Sequence, residues 1–219
     1  MNVVWMGIIA AIVVPVAARA DATPCRSPQP PVVDIGVREA PIVMQNDLTL
    51  ADLRAMSAGL AHPPAHEALG FYTGTVGYTL AHIRQVPGPR TAGGTSCPRL
   101  EVKAALVAVE RRIAIGADLS NNPCRLRAAT EHYGHHADAA SQALHRAAGD
   151  LSKALEIEID RASRSNPGAP TAEDSVSAQA VRKALDQTVE RLTASLAAVQ
   201  AAVDTPSEIR KLSTACGDT

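Results

Sequence analysis

The densest group of metal-binding side chain types in this chain lies at residues 131–136, which read Glu-His-Tyr-Gly-His-His. His132 and His136 are four residues apart. Residues at that spacing lie one above the other on a helix, so both imidazoles can point at one ion. Neutral imidazole is the commonest protein ligand for metal ions such as zinc. The spacing therefore predicts a zinc site on a helix, with His135 as a further candidate ligand.

The chemistry of such a site depends on the residue after the first histidine. In the His-Glu-x-x-His signature of zinc hydrolases, that residue is a glutamate, which deprotonates the zinc-bound water. Here the position holds Tyr133. Tyrosine titrates near pH ~10, so it could donate a hydrogen bond to an oxyanion but could hardly act as a base near neutrality. Glu131 is the other candidate catalytic residue, but the helical rotation turns it to the opposite side of His132.

The segments before this site have the residue pattern of strands. Residues 32–37, 70–86 and 100–115 are strand candidates, because β-branched and aromatic residues alternate or cluster in them. An antiparallel pairing of the second and third segments is the simplest sheet. A helix is the rival prediction for residues 101–112, which are rich in alanine and charge. A further helix is predicted after Asp47 or Thr49, either of which can cap it.

The segments around and after the site are predicted to be long helices. Asn122 and Pro123 provide a cap and a first-turn proline, and an apolar stripe then keeps helical spacing as far as Ile159. Residues 166–170 interrupt this pattern, and a second helix is predicted at about 172–203. The fold class is therefore α+β: a small antiparallel sheet packed on a long helix, followed by a C-terminal antiparallel helical hairpin.

The beginning of the chain is typical of an exported protein. An apolar run precedes small residues that fit cleavage after Ala20 or Ala22, which predicts a signal peptide at residues 1–22, although no basic residue precedes Arg19. We therefore expect a periplasmic or secreted product that has no membrane segment after removal of the signal. The formal net charge of −1, with acids and bases interspersed, argues against a nucleic-acid surface.

The cysteine count agrees with export, because an even number in an oxidising compartment favours disulfides. The four cysteines are Cys25, Cys97, Cys124 and Cys216. Of the three connectivities, we predict Cys97 with Cys124 and Cys25 with Cys216. The first pair brackets one strand-like segment, and the second would join the two ends. The alternative is that Cys25 and Cys216 are unpaired.

The order of these features resembles an uncharacterised bacterial family of exported, predicted zinc-dependent proteases of the His-Glu-x-x-His type. The likeness covers roughly residues 48–148, and its weight comes from the order and spacing of short motifs. The matching positions are 49–54, 70–79, Cys97, Arg112, Ile113, Cys124, Glu131, His132 and His136. The residue patterns together with the resemblance predict a signal peptide (1–22), a lead-in segment (23–46), a metalloprotease-like α+β domain (47–165), and a C-terminal long helix and tail (171–219).

The resemblance implies His132 and His136 as zinc ligands, but it does not supply a base, since Tyr133 replaces the glutamate. It leaves the third ligand open among Glu173, Glu190, Asp138 and His145. Three interpretations remain: a solvated helix face, a metal site without hydrolysis, and a competent hydrolase. The favoured function is an exported, metalloprotease-like protein that binds metal but is weakly or not catalytic, with a peptide or an envelope protein as partner. The alternative is a non-catalytic envelope protein that acts through its helical hairpin.

Overall fold

The computed structural model describes residues 29–58, 69–90, 96–165 and 176–216. The predicted signal peptide and Cys25 lie outside these ranges. The elements in chain order are β1 (Val32–Glu39), β2 (Val43–Gln45), α1 (Leu50–Ala58), β3 (Gly70–Arg90), β4 (Ser96–Ile115), a 3₁₀ helix (Ala117–Asn121), α2 (Pro123–Ser165), α3 (Val176–Ala201) and α4 (Pro206–Thr214). None of the helices in the described ranges combines the length and the hydropathy that crossing a membrane would require.

The sheet is organised around β4. Strand β3 runs antiparallel to β4 along most of its length, from the pair Gly70 and Ile115 to the pair Arg90 and Ser96. Strand β1 is parallel to the first part of β4, and β2 is parallel to its last part. Because β3 occupies one edge of β4, β1 and β2 share the other edge.

The predicted antiparallel pairing of β3 with β4 is confirmed, and so is the strand at residues 32–37. The prediction of an antiparallel sheet is wrong, however, because two of the three strand pairings are parallel. The reason is that β1 and β2 are separated from β4 by α1 and β3, which gives the chain enough length to return in the same direction. The rival helix at residues 101–112 is also wrong, since these residues lie in β4.

Helix α2 packs across one face of this sheet and carries the histidines. Asn122 caps it, accepting a hydrogen bond from the backbone N–H of Arg125 at 3.1 Å, and Pro123 is its first residue. The predicted apolar stripe is buried, and its largest members pack against β4. The members of the stripe with the lowest exposure are Ala137, Leu144, Ala148, Leu151, Leu155 and Ile159. The small alanines allow the helix to approach the sheet closely.

Helix α3 lies along α2 and also packs against β3, where Tyr78 donates a hydrogen bond to Asp186 at 2.9 Å. Val181, Leu185 and Leu192 of α3 are buried in the same core as Leu151 and Leu155 of α2. Gln200, near the end of α3, hydrogen-bonds to His136, near the beginning of α2, while a groove at the opposite end is lined by both Ile159 and Val181. The two helices therefore run in opposite directions. The residues that connect them are outside the described ranges, so the hairpin as a unit stays a prediction.

The chain then reverses into α4, which the sequence analysis did not predict. Thr205 caps α4 by accepting a hydrogen bond from the backbone N–H of Glu208 at 3.2 Å. A disulfide joins Cys216, just after α4, to Cys124 in the first turn of α2, with 5.7 Å between their Cα atoms. Both predicted pairings, Cys97 with Cys124 and Cys25 with Cys216, are therefore wrong, because the reversal at the end of α3 brings Cys216 to the start of α2.

Candidate metal centre

Two imidazoles meet inside the protein on the face of α2 that the spacing predicted. His132 and His136 are only 4% and 6% exposed, so they do not lie on a solvated helix face. Their Nε2 atoms are 3.2 Å apart. The four-residue spacing and the burial of this part of α2 under α3 and α4 together direct both rings to one point.

A carboxylate from the other end of the chain completes this group. Asp204 follows α3, and its Oδ1 atom lies 3.2 Å from His132 Nε2 and 3.0 Å from His136 Nε2. Within the described ranges, these are the three residues whose ligand atoms come close enough together to hold one metal ion. We call this set of residues the His-His-Asp triangle.

The size of the triangle can be compared with a zinc site. Zinc bonds to imidazole nitrogen and carboxylate oxygen are about 2.0 to 2.1 Å long, which gives about 3.3 Å between neighbouring ligand atoms of a tetrahedron. The edges of the triangle measure 3.0 to 3.2 Å. The three donors therefore have nearly the dimensions of one tetrahedral face, and small outward movements would accommodate an ion.

Gln200 fixes which nitrogen of His136 faces the triangle. The Gln200 amide donates from Nε2 to the backbone carbonyl of His136 at 3.2 Å, which turns its Oε1 towards His136 Nδ1 at 2.6 Å. Because an amide oxygen only accepts, Nδ1 must carry the proton. Nε2 is therefore the nitrogen that faces the triangle, where a metal ion can replace the proton that His136 otherwise shares with Asp204.

The electrostatics of Asp204 suit a cation site. Burial raises the pKa of this carboxyl group, but hydrogen bonds from His132 and His136 and the charges of these two residues outweigh burial and hold the pKa well below its usual range. Asp204 therefore stays ionised near neutrality. Its side chain is 28% exposed, against 4% and 7% for the two histidine side chains, so the carboxylate marks the side from which an ion can enter.

Tyr133, one of the two predicted catalytic residues, packs beside the triangle. It is 5% exposed, its ring centroid lies 5.0 Å from that of His132, and its ring stacks on His136. Burial raises the pKa of Tyr133 to about 12, although backbone hydrogen bonds from Gly70 and Leu69 act in the opposite direction. A side chain on Gly70 would collide with this ring and with the Ala114 carbonyl. The tyrosine thus joins α2 to the start of β3.

The other predicted site residues lie outside the triangle. Glu131 is exposed on α2. The side chain of His135, the third predicted ligand, is 59% exposed, and its Nδ1 atom is 3.9 Å from Glu208 Oε2. The helical rotation that buries His132 and His136 turns both of these residues outward.

The four candidates for the third ligand have other positions. Asp138 and Glu190 are exposed, and His145 lies 3.4 Å from Glu39 with its side chain 63% exposed. Glu173 is outside the described residues. The third member of the triangle is instead Asp204, which the sequence analysis missed.

A local signal could have pointed to Asp204. Thr205, Pro206 and Glu208 have the sequence signature of a capping box with a proline at the first helical position, which is a strong indication of a helix start. Such a start requires the preceding helix to end before it. Asp204 then lies where the chain reverses. Because α3 is antiparallel to α2, this reversal is close to His136.

Comparisons of the chain with protein-family models, with curated proteins and with solved structures gave no match. The resemblance to exported zinc-dependent proteases therefore stays a prediction from the sequence.

Proposed function

We propose that this chain binds one divalent metal ion, with zinc as the first candidate, through His132, His136 and Asp204. The observation that carries the proposal is the triangle of two imidazole nitrogens and one carboxylate oxygen, with edges of 3.0 to 3.2 Å. Two buried histidines and an ionised carboxylate form a donor set that matches catalytic zinc sites, which keep a fourth position open.

The donor set also allows other metals. Two histidines and one carboxylate on one side of an ion are the ligands of many non-haem iron(II) sites, and geometry and metal supply decide between the metals. The edges of 3.0 to 3.2 Å fit an octahedral face and, after a small expansion, a tetrahedral one, so the choice of zinc rests on the resemblance. Metal content of the isolated protein distinguishes the two cases, and either metal satisfies the broader proposal of a divalent metal site.

We propose further that the metal-bound protein is weakly or not catalytic. Support comes from the residue at the usual position of the base, Tyr133, which is buried and whose pKa is raised to about 12. Glu131 is turned to the exposed side of α2. The protein would then have a metalloprotease-like site that holds an ion without efficiently activating its water.

Export forms part of the same proposal. The Cys124–Cys216 disulfide supports an oxidising compartment, because such bonds are rare in the reducing cytosol. A periplasmic or secreted location agrees with the apolar beginning of the sequence. Intact-mass measurement of the exported protein tests this, and a product that retains Met1 would contradict cleavage of a signal.

Titration calorimetry with Zn²⁺ and metal analysis of the oxidised protein test the metal site. We expect one ion per chain, and we expect His132→Ala and Asp204→Asn each to weaken binding by more than about 100-fold, beyond the usual effect of changing an outer-shell residue. The matched control is His135→Ala, which removes a neighbouring exposed histidine and should leave the affinity unchanged. Absence of binding by the unmodified protein would refute the proposal. A loss in His135→Ala equal to that in His132→Ala would favour the originally predicted ligand set.

A second candidate function has one observation in its favour. A groove of about 620 Å³ runs between α2 and α3, with an apolar floor and a rim that includes Arg146, Asp150, Glu158 and Arg191. Such a groove could hold a peptide or an envelope protein, as the alternative prediction requires. A pull-down that compares the double variant Arg146→Glu/Arg191→Glu with His132→Ala distinguishes the two functions. A partner that binds in the groove should be lost from the charge-reversal variant and retained by His132→Ala.

A further inference from the structure

The disulfide lies close to the one ligand that comes from a distant part of the chain. Asp204 is 12 positions before Cys216, and α4 occupies most of the interval between them. Cys124 is exposed and Cys216 is half-buried, so the bond is within reach of external thiols. The other two ligands, His132 and His136, follow Cys124 on α2. The disulfide thus joins the two segments that supply the metal ligands.

The backbone reverses at Asp204 itself. The N–H of Thr205 donates to the carbonyl of Val203 at 2.8 Å, which closes a three-residue turn with Asp204 at its centre. Helix α4 begins immediately after this turn. The direction in which α4 leaves therefore helps to set the direction in which the Asp204 carboxylate points.

Few contacts other than the disulfide hold α4 against the rest of the protein. Leu212 is the buried residue of this nine-residue helix. Burial of one leucine side chain stabilises a helix only modestly, and isolated helices shorter than about 12 residues are marginal in water. Without the covalent link, we expect α4 to fray and detach for part of the time, which would loosen the turn at Asp204.

We propose that the redox state of the Cys124–Cys216 disulfide regulates the affinity of the His-His-Asp triangle for its metal ion. This inference rests on the proposed metal-binding function. A dithiol reductant would supply two electrons and two protons: one of its thiolates attacks a cysteine sulfur, its second thiol releases the resulting mixed disulfide, and the products are Cys124 and Cys216 thiols and an oxidised dithiol. The freed α4 then no longer holds Asp204 at the two histidines.

The coupling must act in both directions. If oxidation strengthens metal binding by some factor, metal binding must make the disulfide harder to reduce by the same factor. Couplings of this kind are typically about 5- to 150-fold. This reciprocity distinguishes a redox-regulated site from a disulfide that only stabilises the fold next to an independent site.

The first test compares Zn²⁺ affinity in the full-length oxidised protein and in the double variant Cys124→Ser/Cys216→Ser. Serine is used because free thiols would themselves bind zinc. We expect the variant to bind about 10- to 100-fold more weakly, with its helix content by circular dichroism nearly unchanged. Equal affinities would overturn the inference and leave the proposed function intact, whereas no binding by the oxidised protein would refute the proposed function.

The second test asks whether the disulfide changes the zinc affinity by positioning Asp204. In the disulfide-bonded protein, Asp204→Asn should weaken Zn²⁺ binding strongly, while in the double serine variant it should add little. Additive effects would overturn the inference, because they would mean that the disulfide acts elsewhere. If the serine variant does not fold, the unmodified protein decides: in a glutathione redox buffer at fixed free Zn²⁺, zinc should make Cys124–Cys216 harder to reduce, which moves the midpoint to a more reducing potential. Zinc that binds only the reduced thiols would move the midpoint the other way, so a shift in that direction, or no shift, would refute the coupling.

Discussion

Two polar clusters are buried against α2, and they differ in the charges that they contain. In the first, the His-His-Asp triangle, a carboxylate faces two imidazoles. In the second, Glu39 faces Arg111, with 2.8 Å between Glu39 Oε2 and Arg111 Nη1. Ser141 donates a hydrogen bond to the other Glu39 oxygen at 2.6 Å, and Arg111 also donates from Nε to Tyr72 at 3.3 Å. The Glu39–Arg111 cluster thus contains its own permanent cation.

This difference separates a structural cluster from a candidate binding site. Arginine is always protonated, so the carboxylate of Glu39 is neutralised within the fold. The three residues of the triangle have no permanent positive charge, and His136 is oriented by Gln200 so that its Nε2 atom faces inward. The Asp204 carboxylate is instead balanced by imidazole protons, which a metal ion can displace.

The backbone of β4 is distorted next to the Glu39–Arg111 cluster. The pairing of β3 with β4 shifts register between Thr73 and Thr75, opposite Glu110 and Arg111. Glu110 has a φ of 54°, which is uncommon for a residue other than glycine. The bulge turns Arg111 towards Glu39, and it is 9% exposed there. We infer that the Glu39–Arg111 cluster holds the end of β1 against β4 and α2.

The largest effect expected from this comparison is on stability. Arg111→Met should lower the free energy of unfolding by about 3 kcal/mol, the lower end for a buried ion pair, because the half-buried Glu39 carboxylate loses its arginine and keeps only Ser141 and His145 as partners. The loss should be the same with and without Zn²⁺, as measured by urea denaturation. Arg38→Met, an exposed arginine on β1, is the matched control and should change stability little. A loss that depends on zinc would contradict the separation of the two clusters.

Removing the metal ion should lower the free energy of unfolding only through the His-His-Asp triangle. At a free Zn²⁺ concentration about 100 times the dissociation constant, zinc should stabilise the unmodified protein by about 2.7 kcal/mol, and a chelator should remove this increment. Asp204→Asn should abolish the increment while changing the stability of the metal-free protein by only about 1 kcal/mol, since the amide can still hydrogen-bond. If zinc stabilised both proteins equally, Asp204 would not be a ligand.

A smaller effect should follow from changing the orientation of His136. Gln200→Leu removes the acceptor for Nδ1–H and should weaken Zn²⁺ binding by about 10- to 100-fold. Gln200→Glu keeps an acceptor at that position and should retain the affinity, which a purely structural role would not predict. Gln187→Leu, on the same helix but in the groove with α2, is the control. Equal losses in the leucine and glutamate variants would argue against an effect on the tautomer.

The comparison also explains what the sequence could predict. His132 and His136 were identified because their relation is local, set by four residues of one helix. The long strands and α2 were predicted for the same reason, from alternation and helical spacing. Asp204 and the Cys124–Cys216 pair depend on the reversal between α3 and α4, which joins residues 68 and 92 positions apart. Spacing contains no direct information on such pairs, and cysteine connectivity cannot be deduced from sequence alone.

The smallest expected effect is on catalysis, where we predict little or no peptidase activity. The zinc-loaded protein should cleave a fluorescent casein no faster than the buffer, because Tyr133 replaces the usual base and is buried. Tyr133→Glu recreates the His-Glu-x-x-His sequence, and general-base help is worth about 10² to 10⁴ in rate in a competent site. We expect no such gain, because position 133 faces the start of β3, whereas the triangle opens to solvent beside Asp204. Burying a carboxylate at position 133 should also destabilise the variant. Zinc-dependent cleavage by either protein that disappears with His132→Ala would refute this prediction and would identify the site as a hydrolase.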